Sequence, residues 1–207
     1  MGHPLFARIY TRMRPRLDEY GVREHRQRLL AGLAGEVVEI GAGDGGNFAH
    51  YPPAVTQVLA VEPEPYLRSQ AEHSATSAPV PVQVVDGIAD RLPLADSSVD
   101  AVVASLVLCS VPDQATALAE AHRVLRPDGV LRFYEHVAGT PGRTQRLLDA
   151  TIYPALSGGC HLHRDTTAAI TAAGFTITEL DRFDFPASGF NPAAPHILGR
   201  AVRTAGA

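Results

Sequence analysis

Up to residue 34 the apolar positions Val22, Leu29, Leu30 and Leu33 recur at helical spacing, which predicts an amphipathic helical segment over 1–34. From Glu36 the pattern changes to short apolar runs alternating with helical stretches. Glu36–Ile40 is a short apolar strand that runs into Gly41-Ala42-Gly43-Asp44-Gly45-Gly46. A brief helix follows and must stop at Pro52-Pro53. Val55–Val61 reads as the second strand, and Pro65 is placed to open a helix through His73. Val82–Val85 is a third strand. Asp100–Val111 is apolar on both faces, as expected of a central parallel strand.

Asp113 is suited to cap a helix whose apolar face is Leu118, Ala121, His122 and Leu125. Pro127-Asp128-Gly129 turns the chain into a fifth strand, Val130–Val137. Helices are then expected at Arg146 to Tyr153 and from Asp165 to Ala173, the second capped by Gly174. Strands near Phe175–Leu180 and Ile197–Arg203 close the pattern. Strands alternating with helices and no internal repeat predict one doubly wound α/β domain, with 1–34 as an N-terminal helical segment and 35–207 as the core. The basic, aromatic stretch before Gly21 reads either as a solvated helix packed over that domain or as a lid over a substrate pocket.

Composition narrows the class. Hydrophobic content of 45% and charged content of 19% suit a globular protein. A net charge of −4 argues against nucleic acid as the main partner. All 18 basic residues are arginine. Cys109 and Cys160 have no framework spacing, so a reducing cytoplasm is expected rather than a disulfide scaffold. Arg8, Arg12, Arg14 and Arg16 interrupt any signal-like start, and the run Ala101 to Pro112 is too short to span a bilayer. Cys160-His161-Leu162-His163 matches no zinc spacing, and no metal is expected.

Gly41, Gly43 and Gly46 form a G-x-G-x-x-G spacing, which lets backbone turn sharply and approach a ligand. Glu62, 21 residues after Gly41, stands at the tip of the second strand, where a carboxylate can accept from both ribose hydroxyls. A nicotinamide dinucleotide fits the glycines equally well. Glu39, two residues before Gly41, tilts the choice. A diphosphate is disfavoured beside a carboxylate, whereas a sulfonium ligand carrying an ammonium group is favoured. The absence of lysine also removes the Tyr-x-x-x-Lys pair of many single-domain dehydrogenases.

Glu39-Ile40-Gly41-Ala42-Gly43-Asp44-Gly45, Val61-Glu62-Pro63, Arg91-Leu92-Pro93-Leu94, Ser98-Val99-Asp100 and Arg123-Val124-Leu125-Arg126-Pro127-Asp128-Gly129 together resemble the class I S-adenosylmethionine (SAM)-dependent methyltransferases. The resemblance covers about residues 36–137. It implies a Rossmann-like, seven-stranded doubly wound sheet with an antiparallel last strand, and a cofactor across the carboxyl ends of strands one to four. The cofactor-binding residues expected on that basis are Glu39, Gly41, Ala42, Gly43, Asn47, Glu62 and Pro63, with Ala89, Asp90, Ser105 and Leu106 further on. One position departs. The family often has an acid holding the adenine amino group where this chain has Ile88, leaving Asp86, Asp90 or the backbone at Ala89 to read the base.

Four further stretches are similar to the methyltransferase-like thiol S-methyltransferases, which methylate alkyl thiols and hydrogen sulfide. They are Asn47-Phe48 with Tyr51-Pro52-Pro53, Leu106-Val107-Leu108-Cys109-Ser110-Val111, Glu135-His136-Val137-Ala138, and Gly159-Cys160 with Leu162 and Arg164; Pro195-His196-Ile197 adds to them. Animal members begin with a hydrophobic anchor that this chain is not expected to share. Cys109 and His122 read as core or boundary residues. Glu135 and His136, ending the fifth strand at the ligand rim, are the candidate catalytic residues, with Glu135 expected to orient rather than to attack. The expected reaction is methyl transfer to a small-molecule acceptor, a thiol first. An oxygen, nitrogen or carbon acceptor, a non-catalytic SAM binder and a nicotinamide oxidoreductase remain as alternatives.

Overall fold

The computed structural model describes residues 4–137, 164–185 and 194–204. Seven strands form one sheet: β1 (Gly35–Ile40), β2 (Val55–Val61), β3 (Val82–Val85), β4 (Val99–Ser105), β5 (Leu125–His136), β6 (Phe175–Phe185) and β7 (Ala194–Arg203), in the order β3-β2-β1-β4-β5-β7-β6. β1 to β5 pair in parallel, and β7 lies antiparallel between β5 and β6. This is the Rossmann-like order implied by the sequence resemblance. The strand order reverses beside β1, which places the ligand crevice at the carboxyl ends of β1 and β4.

Helices cover both faces. One core layer packs α2 (Arg23–Leu30) and α3 (Pro65–Ala75) on the sheet through Leu29, Leu30 and Ala71. The other packs α4 (Gln114–Val124) and α5 (Thr166–Ala172) through Leu118, Ala121, Val124 and Ile170. The cap residues behave as their chemistry dictates. Asp113 accepts from the N–H groups of Ala115 and Thr116, and Asp165 from that of Ala168, satisfying donors that a helix start leaves unpaired. Gly174 follows α5 at φ +87°, a conformation costly for residues with a Cβ. His122 sits at the core boundary, edge-on to Phe175 with ring centres 5.3 Å apart.

Several expectations need correction. The N-terminal helical segment consists of two helices: α1 (Pro4–Leu17) and α2 join through a π-helical stretch, Asp18–Val22, where Gly21 takes φ +113°. The brief helix after the glycines is a single 3-10 turn, Phe48–His50. β4 ends at Ser105 and does not run to Val111. Leu106 turns the chain at φ +57°, its N–H donating to the Tyr134 carbonyl at 2.7 Å. β5 begins earlier than expected, with its bend at Asp128 (φ +64°) inside the strand. β6 and β7 are both longer than their apolar residues suggested, because each pairs the other along its length. The helix expected at Arg146 to Tyr153 lies outside the described residues. No helix among the described residues is long and apolar enough to cross a membrane.

Candidate active site

The glycine turn follows β1 and is held by two hydrogen bonds to β2, from Gly41 and Ala42 N–H to the Val61 carbonyl. Gly41 sits at φ +63°, and a Cβ there would collide with the Val107 side chain. Gly43 is at φ +59° for a different reason. A Cβ at Gly43 would meet only Tyr10, 3.9 Å away, so its backbone borders open space. One glycine is needed for packing and the other for approach.

Glu62 joins this turn to the tip of β2. It is buried, and its Oε2 accepts from Gly43 N–H at 2.8 Å while Oε1 accepts from Glu64 N–H at 2.9 Å. Burial raises its carboxyl above the ordinary range, and these backbone donors pull it back. Each carboxylate oxygen can still accept a second bond. Glu39 lies deeper. Asn47 Nδ2 donates to its Oε1 at 2.8 Å and Tyr51 Oη to its Oε2 at 2.7 Å. Burial pushes Glu39 up to about 7 despite those bonds and the nearby Arg26. Glu39 thus stands under the turn with one internal donor on each oxygen.

Three buried oxygens around the crevice have no hydrogen-bond partner: Asp44 Oδ1 and Asn47 Oδ1 at the turn, and Asp90 Oδ1 beyond β3. Buried acceptors left unpaired are costly, and their positions call for donors from a ligand. Asp86, the other candidate near the base, is exposed and paired with Arg68 at 3.0 Å. Ile88 is 52% exposed, an apolar platform next to Ala89, while Pro63 stands exposed beside Glu62. Ser105 and Leu106, both half-buried, end β4 opposite the turn. A nucleoside with an exocyclic amine at one end and an ammonium at the other matches this set of acceptors; the residues present fit S-adenosylmethionine.

The sequence offered the stretch before Gly21 as a lid over a substrate pocket but did not reveal that α1 reaches the glycine turn. Arg14 Nε donates to Asp44 Oδ2 at 2.6 Å, Tyr10 borders Gly43, and Arg26 Nη2 donates to Tyr10 Oη at 3.3 Å. Arg26 is itself buried, and a Cβ on Gly46 would strike its guanidinium. Tyr10 and Arg14, four residues apart, share one helix face; that spacing was the available signal.

On the other side of β4, His136 is half-buried at the end of β5. Directly across the β5–β7 ladder stands His196, with ring centres 4.1 Å apart. His196 is buried and stacks near Tyr134 and Phe183, with Phe185 edge-on at 5.8 Å. His25 of α2 closes the group, its Nδ1 3.3 Å from Tyr134 Oη. Glu135 points the other way. It is fully buried and accepts from the N–H groups of Val107, Leu108 and Cys109 at 3.0, 2.9 and 3.2 Å. It holds the loop after β4 rather than facing the crevice. Cys109, within that loop, is buried, and Cys160 lies outside the described residues. Among the described residues no three His, Cys, Asp or Glu side chains gather as a metal site would require.

A family of methyltransferase domains matches residues 38–133, from the first strand to the fifth. The chain belongs to the class I SAM-dependent methyltransferases, with S-adenosylmethionine as the cofactor. Within them it is 36% identical to the thiol S-methyltransferase TMT1B of Rattus norvegicus, covering 96% of this chain and 83% of that protein. It is also 38% identical to the Homo sapiens TMT1B, over 84% of this chain and 74% of that one. Geranyl diphosphate methyltransferase in complex with SAM superposes with a TM-score of 0.70 at 15% identity, covering 90% of this chain and 86% of that one. A SAM-dependent methyltransferase from Mesorhizobium loti gives 0.65 at 20% identity, with 86% and 95% covered. At those identities the structures attest the fold alone.

Proposed function

We propose that this enzyme methylates a small thiol, with His136 as the group that takes the thiol proton. The observation that carries the reading is the similarity along nearly the whole chain to proteins named thiol S-methyltransferases. A half-buried histidine at the carboxyl end of β5, paired with His196, supports it. Bound S-adenosylmethionine supplies an electrophilic methyl group on a sulfonium. The chain's own part is to hold and to exclude. Gly41 and Gly43 let backbone close on the ligand, Glu62 accepts from the ribose, and Asp90 accepts from the adenine amine above the Ile88 platform. Ser105 and Leu106 border the methionine end.

A thiol is already close to ionisation, with an unperturbed pKa of about 8.5 for cysteine, so modest assistance suffices. A ring nitrogen of His136 accepts the proton and the resulting cation stays beside the thiolate until methyl transfer. Apolar and aromatic neighbours, Tyr134 and Phe183 among them, keep water from the sulfur. α1 acts as the lid, and because Tyr10 and Arg14 touch the glycine turn it closes over cofactor and acceptor together.

The test compares an alkyl thiol with the matched alcohol, following S-adenosylhomocysteine release. Thiol turnover and no alcohol turnover are expected. His136→Gln should slow the thiol reaction on the order of 10²-fold at pH 7, the low end of what a placed acid–base group contributes. Part of the rate should return at pH 9, where thiolate forms unaided. Turnover of the alcohol alone would overturn the substrate class, and equal rates for both enzymes at every pH would remove His136.

A further inference from the structure

The loop Leu106–Val111 is gripped on both sides of its peptide groups by ionic side chains from distant parts of the chain. On one side Glu135 accepts three consecutive N–H groups, from Val107, Leu108 and Cys109. On the other, Arg164 Nη1 donates to the carbonyls of Leu108 at 2.8 Å and Val111 at 2.7 Å, and Gln114 Nε2 donates to Leu108 at 3.2 Å. An acid holds the donors and a base holds the acceptors. The loop needs such a frame, because Leu106 enters it at φ +57°, a conformation that costs a residue with a Cβ. Its placement matters at the site. Val107, held through its N–H by Glu135, puts its side chain into the space over Gly41, so a displaced loop displaces the glycine turn.

We infer that Glu135 and Arg164 are positioning residues that set the Leu106–Val111 loop against the glycine turn for methyl transfer, and that the Glu135 side of this grip depends on its charge. The inference rests on SAM-dependent methyl transfer at this crevice and not on the identity of the acceptor. A carboxylate offers lone pairs on both oxygens; a protonated carboxyl turns one oxygen into a donor facing N–H groups. Complete burial pushes Glu135 up to about 7, with the three N–H bonds and His136 drawing it back. The other titratable or charged groups around it are Tyr134 on its own strand, Cys109 in the loop, and His196 on β7. Arg164 and Asp113 lie on the loop's far side. As pH falls below neutrality the buried carboxyl takes up a proton, which favours the fold as a whole. One oxygen then no longer accepts, so local openings that release the N–H groups while Glu135 stays buried become easier.

Hydrogen–deuterium exchange on the wild-type protein saturated with S-adenosylhomocysteine reads this directly, without a variant and without an acceptor. After correction for intrinsic exchange, protection of the Val107–Cys109 amides should fall about tenfold between pH 8 and pH 6, while Val102–Ala104 of β4 stays constant. Equal protection of the loop at both pH values would overturn the charge dependence. Kinetics with an alkyl thiol then separate the two residues. Glu135→Gln keeps one acceptor oxygen and leaves at least one N–H unpaired, so kcat should drop about tenfold at pH 8. It should also decline less steeply toward pH 6 than the wild type, the remaining slope belonging to the thiol and His136. Arg164→Met keeps most of the stem but removes the donor to both carbonyls, so kcat should drop while the decline persists. Wild-type kcat at pH 8 in either variant removes that residue from the assignment. A wild type that turns over no thiol yet shows the pH-dependent protection sinks the thiol reading and leaves this one standing.

Discussion

The two halves of the crevice are built by opposite means. On the nucleoside side, from β1 to β3, the working groups come from short contiguous stretches: Glu39 to Asn47, Glu62 with Pro63, and Ile88 to Asp90. Backbone does most of the shaping there, and the turn glycines are irreplaceable for steric reasons. On the acceptor side the groups meet only through tertiary pairing. His136 faces His196 across a ladder, Glu135 reaches 28 residues back to Val107, and Arg164 crosses 56 to Leu108. The first half is shaped locally by backbone; the second is assembled from side chains that only the fold brings together.

That contrast predicts where substitutions strike. The largest effect is expected from Gly43→Val, which fills the open space before the turn without meeting protein atoms nearer than Tyr10. SAM affinity should fall by more than ~100-fold in calorimetry, and the melting temperature should fall as well, because a β-branched residue is strained at φ +59°. Gly43→Ala, which carries the same backbone strain with less bulk, separates the two effects by its smaller loss of affinity. Retained affinity would move the cofactor elsewhere. Next comes Glu62→Ala. Hydrogen bonds to a charged group are worth about 1.5–3 kcal/mol each, so losing two from the ribose should weaken binding by well over tenfold. Acceptor KM measured at saturating SAM should be unchanged, which isolates the nucleoside half.

A smaller effect is expected from Arg14→Met, which removes the partly buried pair with Asp44 and keeps most of the stem's packing. Both SAM Kd and acceptor KM should rise, roughly three- to tenfold, because α1 touches the turn as well as covering the crevice. A change confined to the acceptor KM would make α1 a lid over that side alone.

The smallest effect on binding belongs to Glu39→Gln. Glu39 is satisfied internally, so SAM Kd should shift no more than about threefold. Its signature is in stability. Burial raises its carboxyl from 4.5 to about 7 in the folded state, so the folded protein holds that proton more tightly than the unfolded chain does. Its contribution to stability therefore falls as pH rises from about 4.5 to about 7 and is level above that. Glu39→Gln should flatten part of the decline in melting temperature across that window, with Glu135 still contributing its own share. An unchanged slope in the variant would show that Glu39 is not the group responsible.

How much of this was legible in the sequence follows the same division. The strands, the glycine turn and Glu62 at the tip of the second strand could be read from local runs and spacings, whereas the seven-stranded sheet came only with the family resemblance. The end of β4 could not. Leu106-Val107-Leu108 continues an apolar run, and nothing local reports that Leu106 adopts a positive φ stabilised by bonds to β5 and framed by Glu135. Glu135 and His136 were found together as a pair at a strand end, but alternation sends them to opposite faces, one under the loop and one to the rim. Tyr10, Arg14 and Arg26 carried a helical spacing and no hint of what they would cover.

The insertion of β7 between β5 and β6 has a consequence for the order in which the enzyme comes into being. During synthesis the residues through β4 leave the ribosome long before 194–203, so the nucleoside half can form while the acceptor half is still missing a strand. Until β7 arrives, β5 presents an open edge and His136 lacks the ring beside it. A nascent chain at that stage would hold the glycine turn in place yet lack the His196 half of the histidine pair.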